Sequence, residues 1–439
     1  MTAHSPLSAR SWLPIDPRIV MTAYAGLLAA AMISPRASAV ALAVIGIMAL
    51  AGYWLHRRPL QNFVTVGPLT LGLGICAGWA CLSTLWSPVP AATAGKAGLA
   101  VLFILAAHAA VAAVRGDSAV ILRAAALGLV AAVVSGALFA AVETVSGQAL
   151  TRGVFTMIPL LRADYDKHLR IVDGVVTGLS PTNINRRTTL VTLLLWPTLF
   201  AAASVLRGRL RMGLVLALVG AALLLFAFTH HQSSQAALLA GAAALGLYTL
   251  KPRMTGYLLG AAWGCTVLLI VPVTAVAYKA ELHRAEWLPP SARHRVVIWG
   301  YTAERIAKAP LLGIGADSTA HVDLQRPSGT VDKPRDHLYA RATGRHAHNV
   351  YLQVWYELGA IGALLLLPLG FLAVYSFRAL TPAAQPWGAA LFAASAAMMA
   401  SSYSLWQAWF QAAFGLGVVA LALADALQTR LAADASGER

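Results

Sequence analysis

Apolar runs of 16 to 29 residues recur twelve times along this chain, and no other feature of the sequence restricts its fold so tightly. A helix needs about 20 apolar residues to cross the ~30 Å hydrocarbon core of a bilayer, and only helices or closed barrels satisfy their backbone groups there. The runs lie near 19–34, 37–56, 64–86, 97–114, 118–146 and 188–206, then near 212–229, 235–250, 255–278, 349–377, 385–404 and 408–427. The expected fold is an all-α polytopic membrane protein of about 12 transmembrane helices, with one large, mostly helical lid between helices 9 and 10. The same reading divides the chain into five parts. These are an N-terminal five-helix membrane region at 1–146, an outer segment at 147–187, central membrane helices at 188–278, the lid at 279–348, and C-terminal helices with a short tail at 349–439. No internal repeat stands out.

Composition agrees with a lipid environment. The chain is 59% apolar and 11% charged, where a soluble domain carries roughly 25% charged residues. A formal net charge of +16 would suit a nucleic-acid binder, but the cations are interleaved between spans, where cytoplasmic retention and anionic lipid account for them. Membrane lipid is the expected partner and nucleic acid is not. Cys76, Cys81 and Cys265 fall inside apolar runs and read as small packing residues, with no disulfide framework. The first run follows Arg10 and Arg18 without a small-residue cleavage site before the next span, so it reads as a retained anchor. Arg57, Arg58, Arg115, Arg207, Arg209, Arg211, Lys251, Arg253 and Arg378 all fall on one side, which identifies that side as cytoplasmic. The short connectors of the other side carry only Arg36 and Lys96, so both termini are expected inside and the segments 147–187 and 279–348 outside.

The segment 279–348 is too long for a connector and holds eleven Lys or Arg against seven Asp or Glu. A translocated loop of this length is exempt from the charge rule, so its basic excess reads either as a solvated surface or as a site for an anionic ligand, for which arginine supplies bidentate donors. Within it, residues 291–308 read as a surface helix with Val297, Ile298, Tyr301 and Ile306 as the apolar stripe, closed by Pro310 and the turn Leu312-Gly313-Ile314-Gly315.

The densest chemistry sits where this segment meets the tenth span. His348-Asn349 is followed, nine residues on, by Gly359-Ala360-Ile361-Gly362. Asn349 can cap the helix, whose N-terminus disfavours an imidazolium, and a neutral His348 at the membrane surface suits a general base. Gly359 and Gly362 share one helix face and are expected to admit a neighbouring helix. Arg186-Arg187-Thr188-Thr189-Leu190 opens the sixth span from outside, and Arg295-Val296-Val297-Ile298-Trp299 lies on the lid helix. An interfacial anchor in the phospholipid zone is the plain alternative for Arg186 and Arg187, and a solvated face for Arg293 and Arg295.

His-Asn with Gly-x-x-Gly nine residues later, Arg-x-x-x-Leu at Arg186 to Leu190, Arg-x-x-x-Trp at Arg295 to Trp299, and Pro310-Leu311-Leu312-Gly313-Ile314-Gly315 together resemble the bacterial O-antigen ligases. The motifs cover roughly residues 181–365, and the first five helices match in hydropathy alone. The resemblance implies an inner-membrane glycosyltransferase that moves O-antigen polysaccharide from undecaprenyl pyrophosphate to the outer-core sugar of lipid A, in the periplasm and without a cofactor or metal. It implies that His348 orients or deprotonates the acceptor hydroxyl, while Arg186 and Arg295 hold the pyrophosphate. Arg187, Arg293, Asn349, Trp299 and Arg345 are expected to bind substrate, and Gly359 and Gly362 to serve the architecture. The chain departs from the family where Ser-Arg follows the seventh span, having Ser233-Ser234-Gln235 instead.

Four other readings compete. His230, His231, His283, His294, His321, His337, His346 and His348 fall on or near the outer side, but none pairs at the i, i+4 spacing of a helical zinc site. Asp164-Tyr165-Asp166 offers paired carboxylates for a divalent cation on a diphosphate, with a solvated turn as the plain alternative. An O-antigen polymerase and a protein O-oligosaccharyltransferase share the donor and differ in acceptor. A secondary transporter would need ionisable residues at mid-membrane, whereas Arg123, Glu143, Glu357 and Asp425 all lie near expected span ends.

Overall fold

In the computed structural model, residues 16–55, 64–162, 169–324 and 345–436 are described. The chain is an all-α polytopic membrane protein. Among the described residues there are fifteen helices: α1 (Pro17–Ile33), α2 (Ser38–Leu55), α3 (Pro68–Leu82), α4 (Pro90–Gly116), α5 (Ala119–Val145), α6 (Ala149–Met157), α7 (Thr182–Val205), α8 (Gly208–Phe228), α9 (Gln232–Leu250), α10 (Pro252–Lys279), α11 (Pro290–Ile306), α12 (Thr319–Leu324), α13 (Val350–Ser376), α14 (Gln385–Met399) and α15 (Ala408–Ser436). An antiparallel hairpin, β1 (Leu169–Val172) and β2 (Val175–Leu179), interrupts them.

All twelve expected spans are helices, and ten are long and apolar enough to cross a bilayer. The other two, α1 and α14, have 17 and 15 residues. Proline at the first turn starts α1, α3, α4, α10 and α11, where its missing N–H costs nothing because those donors lack helical partners anyway. Ser118 caps α5 by accepting from the Ile121 amide.

The core lies between α5, α7 and α15. In the α7 span 83% of the residues are buried, against 17% in the span built on α3, so α7 runs through protein while α3 faces lipid. Small residues make this possible: Ala124, Ala125, Gly128, Ala132, Gly136 and Ala140 let α1 and α7 approach the backbone of α5.

Hydrogen bonds gather six connectors at one end. The Arg187 Nε at the start of α7 donates to the Ile33 carbonyl. Ser87 and Thr93 reach Ser318 and the Ala316 carbonyl beyond α11. Ser233 at the start of α9 donates to the Ser401 carbonyl, and Lys96 lies 3.5 Å from the Trp406 carbonyl. Arg115, Arg207, Arg209, Arg211, Lys251, Arg253 and Arg378 occupy the connectors and adjoining helix ends of the opposite end, as the charge pattern predicts. Arg10, Arg57 and Arg58 lie outside the described residues, as do Arg326, Lys333, Arg335, His337 and Arg341 of the lid.

Two expectations need correction, and one outer segment gains detail. The span expected over 385–404 ends at Met399, because the following Ser401, Ser402 and Ser404 bond locally and across to α9 and α13, and so compete with the helical ladder. The outer segment 147–187, whose internal structure the hydropathy pattern leaves open, holds a short helix and a hairpin turning at Asp173-Gly174, both in the left-handed region that such turns demand. The tenth span is broken in its first half: Gly359 has φ +69° and ψ −168°, a conformation closed to other residues.

Candidate active site

The break in α13 builds the site's floor. A helix interrupted within a membrane must satisfy the backbone groups it releases, and each is accounted for here. The Ile314 amide donates to the Tyr356 carbonyl (3.2 Å), the Gly315 amide to Glu357 (2.8 Å) and the Trp79 indole to Leu358 (3.0 Å). Beyond the break, the Ala360 and Ile361 amides donate to the Pro310 and Leu311 carbonyls at 2.8 and 3.3 Å. The loop 310–315 thus pairs with the broken helix as a strand would. A Cβ on Gly359 would lie 2.2 Å from the Leu311 oxygen, and one on Gly313 would lie 2.5 Å from the Glu357 carbonyl. The two glycines at 359 and 362 therefore do not present a smooth face to a neighbouring helix: Gly359 makes the break, and Gly362 fits the crowded turn beside Leu358.

Glu357 hangs at this break, fully buried. Its carboxylate accepts from the Asp317 and Thr319 amides, the Thr319 hydroxyl, the Gln353 amide and the Trp406 indole. Gln353 in turn binds Ser404 and the Leu405 amide. One carboxylate therefore fixes the lid turn, α13 and the 400–407 connector relative to one another.

His348 stands above this floor. Asn349 caps α13 by accepting from the Leu352 amide at 3.0 Å, as its position before the helix predicts. His348 has φ +52°, a left-handed turn that swings its ring toward the 400–407 connector. There its Nδ1 lies 3.1 Å from the Ser402 carbonyl, so Nδ1 carries the proton and Nε2 is left with its lone pair. The His346 ring packs 4.0 Å away, and its Nε2 is buried without a hydrogen-bond partner among the described residues.

The lid helix supplies the nearest positive charge. Trp299 donates to the Ala347 carbonyl at 2.8 Å, pinning α11 beside the His348 turn. Arg295, one turn earlier, is largely buried, which lowers its own pKa. Burial first, and the Arg295 charge second, hold His348 down to about 4. Burial, then His348 and more weakly Arg295, take His346 to about 3. His231 is likewise lowered to about 3 by burial and by Arg295. Its Nδ1 lies 2.7 Å from the Ser234 hydroxyl, and its ring lies 5.7 Å from Tyr403. The imidazoles are thus neutral at pH 7, suited to accept a proton or a hydroxyl hydrogen bond.

Tyr403 links the two arginines. Burial raises its phenol, opposed by Thr189, Arg186 and Arg295 around the hydroxyl. Arg186, from the first turns of α7, holds its guanidinium 5.7 Å from the Trp409 ring centroid. The Trp409 ring beneath Arg186 lies 4.7 Å from Tyr403, whose phenol also feels the charge of Arg295.

The other expected residues are placed differently. Arg187 points away from this cluster: it is 4% exposed, paired with Glu143 at 3.2 Å, and stacked on Phe139. Trp299 uses its donor on Ala347, and Asn349 uses its acceptor as a cap. Arg293 lies two residues from Arg295, about 200° around α11 and hence on another face. Arg345 is exposed. Among the described residues no three His, Cys, Asp or Glu converge as metal ligands, and Asp164 and Asp166 lie outside those residues. Sequence reasoning missed Ser402 and Tyr403, for which the hydroxyl-rich run 401–404 at a span end was the available signal.

Residues 214–367 match the O-antigen ligase family. That stretch holds Arg295, His348 and the α13 break, and leaves Arg186 outside it. A Rickettsia prowazekii protein described as a candidate polysaccharide ligase is 28% identical over 152 residues, covering 32% of this chain and 35% of the relative. A Rickettsia conorii protein of the same description is 33% identical over 101 residues, covering 23% and 24%. One from Rickettsia bellii is 36% identical over 80 residues, covering 18% and 19%. The chain thus spans about a third or less of the length of these relatives. The α11 arginine, the His-Asn turn and the broken α13 all lie inside the matched region, so it is this part of the chain that is similar to the O-antigen ligase family.

Proposed function

We propose that this protein is a glycosyltransferase of the bacterial inner membrane that moves O-antigen polysaccharide from undecaprenyl pyrophosphate to an outer-core sugar of lipid A on the periplasmic face. The observation that carries this reading is that His348 reaches the Ser402 carbonyl of the 400–407 connector while Arg186 lies over Trp409 just beyond it and the charge of Arg295 acts on His348, at the end of the bundle opposite the basic connectors. The positive-inside rule makes the basic end cytoplasmic and the site periplasmic.

The chemistry follows from the geometry. Nε2 of a neutral His348, its tautomer set by the Ser402 carbonyl, takes the proton of the acceptor hydroxyl as the oxygen attacks the anomeric carbon. Arg186 and Arg295 bind the diphosphate and stabilise the charge that grows on it as the glycosidic bond breaks. Partial burial of both groups strengthens these interactions relative to water. Among the residues expected to touch substrate, Arg293 and Arg345 remain in the proposal as lid contacts, and Arg187, Asn349 and Trp299 as supports.

A purified-component assay tests the proposal. Lipid-linked glycan is offered with lipid A-core, a growing glycan or a pilin-like peptide. Transfer to lipid A-core, abolished in His348→Ala with donor binding retained, is the expected outcome. Full transfer by His348→Ala would remove this residue from the chemistry, and transfer to the glycan or peptide alone would make the protein a polymerase or a protein glycosyltransferase.

A further inference from the structure

α6 follows the membrane helix α5 after three residues and has two unlike faces. Its Arg152 and Thr156 side hydrogen-bonds the hairpin, through Arg152 to the Thr177 carbonyl (2.9 Å) and from the Val176 amide to Thr156 (3.0 Å). Thr151 and Phe155 are buried inward, Thr151 against Glu143 and Arg187. The remaining side is apolar and bare: Leu150 is 51% exposed, Val154 39% and Met157 75%, followed by Ile158 and by Leu160 at 86%.

Leu150, Val154 and Met157 recur at i, i+4 and i+7, so they form one stripe. On α5 the exposed residues Leu138, Val142 and Val145 recur at the same intervals on a helix that spans the membrane. The lipid-facing stripe of α5 thus continues onto α6 without an intervening charged residue, since only Ser146, Gly147 and Gln148 separate them. An apolar surface of this kind, continuous with the membrane interface and backed by polar contacts on its other side, has the build of a helix lying in the bilayer surface.

We infer that α6 and the Ile158–Leu160 turn are a monotopic membrane-surface element whose occupant is the headgroup–acyl boundary of the same bilayer. Burial to about 5–10 Å depth is the norm for such helices. Its consequence for the site is mechanical. Gln148 donates to the Leu179 and Ser180 carbonyls, and Thr151 joins Glu143 and Arg187, so the N-terminal end of α6 is tied to the start of α7 and to the segment that leads into it. A helix held in the bilayer surface thereby sets the height of Arg186, next along α7 to Arg187, at the level where a lipid diphosphate lies.

Spin labels in the full chain, reconstituted in nanodiscs of phosphatidylethanolamine and phosphatidylglycerol, test this. Met157→Cys and Leu160→Cys are compared with the lipid-facing Val142→Cys and the exposed lid position Glu286→Cys, with the unsubstituted chain labelled in parallel to subtract Cys76, Cys81 and Cys265. The expected result is an oxygen-to-nickel accessibility ratio at 157 and 160 several-fold above that at 286 and approaching that at 142. A ratio equal to that at 286 would put the stripe in water. Low accessibility to both probes would show it covered by protein, a second copy or another chain. Either result overturns the inference, and neither bears on the glycan-transfer assay.

Discussion

Replacing Gly359 by alanine strikes the one place where backbone conformation, lid and membrane helix meet. At φ +69° and ψ −168° any side chain is strained, at a cost of about 1–3 kcal/mol. The added Cβ would also lie 2.2 Å from the Leu311 oxygen and 2.7 Å from the Gly313 amide nitrogen, both backbone atoms with no rotamer to escape through. The 310–315 loop must therefore retreat. Retreat sacrifices at least the bonds from Ala360 to Pro310 and from Ile361 to Leu311, each worth about 0.5–1.5 kcal/mol net. The sum is a destabilisation of about 2–6 kcal/mol, and the lid turn that Glu357 holds should loosen with it. Equilibrium unfolding in mixed micelles measures the first effect and glycan transfer the second. Gly78→Ala is the control, because Gly78 is helical with open space at its Cβ and alanine there should stabilise slightly. Equal stability of Gly359→Ala and Gly78→Ala would refute the broken-helix argument.

Three further outcomes are expected. Glu143→Gln should destabilise the chain about as much as Arg187→Gln, in the range of about 3–5 kcal/mol for a broken buried pair; unaltered stability with lost donor binding in Arg187→Gln would instead return Arg187 to the diphosphate. With His348 held at about 4 and His346 at about 3, transfer should stay level as pH falls through the free-imidazole value of about 6.5 and decline only toward 4. An acid limb centred near 6.5 in the pH–rate profile would contradict the burial of His348. For stability the sign is the same: these histidines bind fewer protons folded than unfolded between their lowered values and about 6.5, so their contribution is full above that pH and is lost as pH falls toward 4, as pH-dependent unfolding can check. Turnover should persist in excess chelator, and loss restored by magnesium or manganese would assign a cation to Asp164 and Asp166.

The sequence made the spans legible because each is a long apolar run, and a run says where lipid is without reference to anything else. It made His348, Asn349 and Arg295 legible because their spacing to glycine and tryptophan is local. What it concealed depends on partners far along the chain. Arg186 and Arg187 look equivalent as neighbours, yet a helix turns successive side chains by about 100°, so one meets Trp409 and the other Glu143. Gly359 and Gly362 carry the spacing of a helix-packing motif, and only the Pro310–Gly315 loop arriving from outside turns the first into a break. Glu357 reads only as an ionisable residue near a span end until Thr319, Gln353 and Trp406 are brought to it. The same logic explains Ser402 and Tyr403: their apolar neighbours extend the expected span, and what ends it early is competition from α9 and α13, which no local window contains. The catalytic proposal therefore rests on a geometry in which the most informative residues are those whose local context argued for something else.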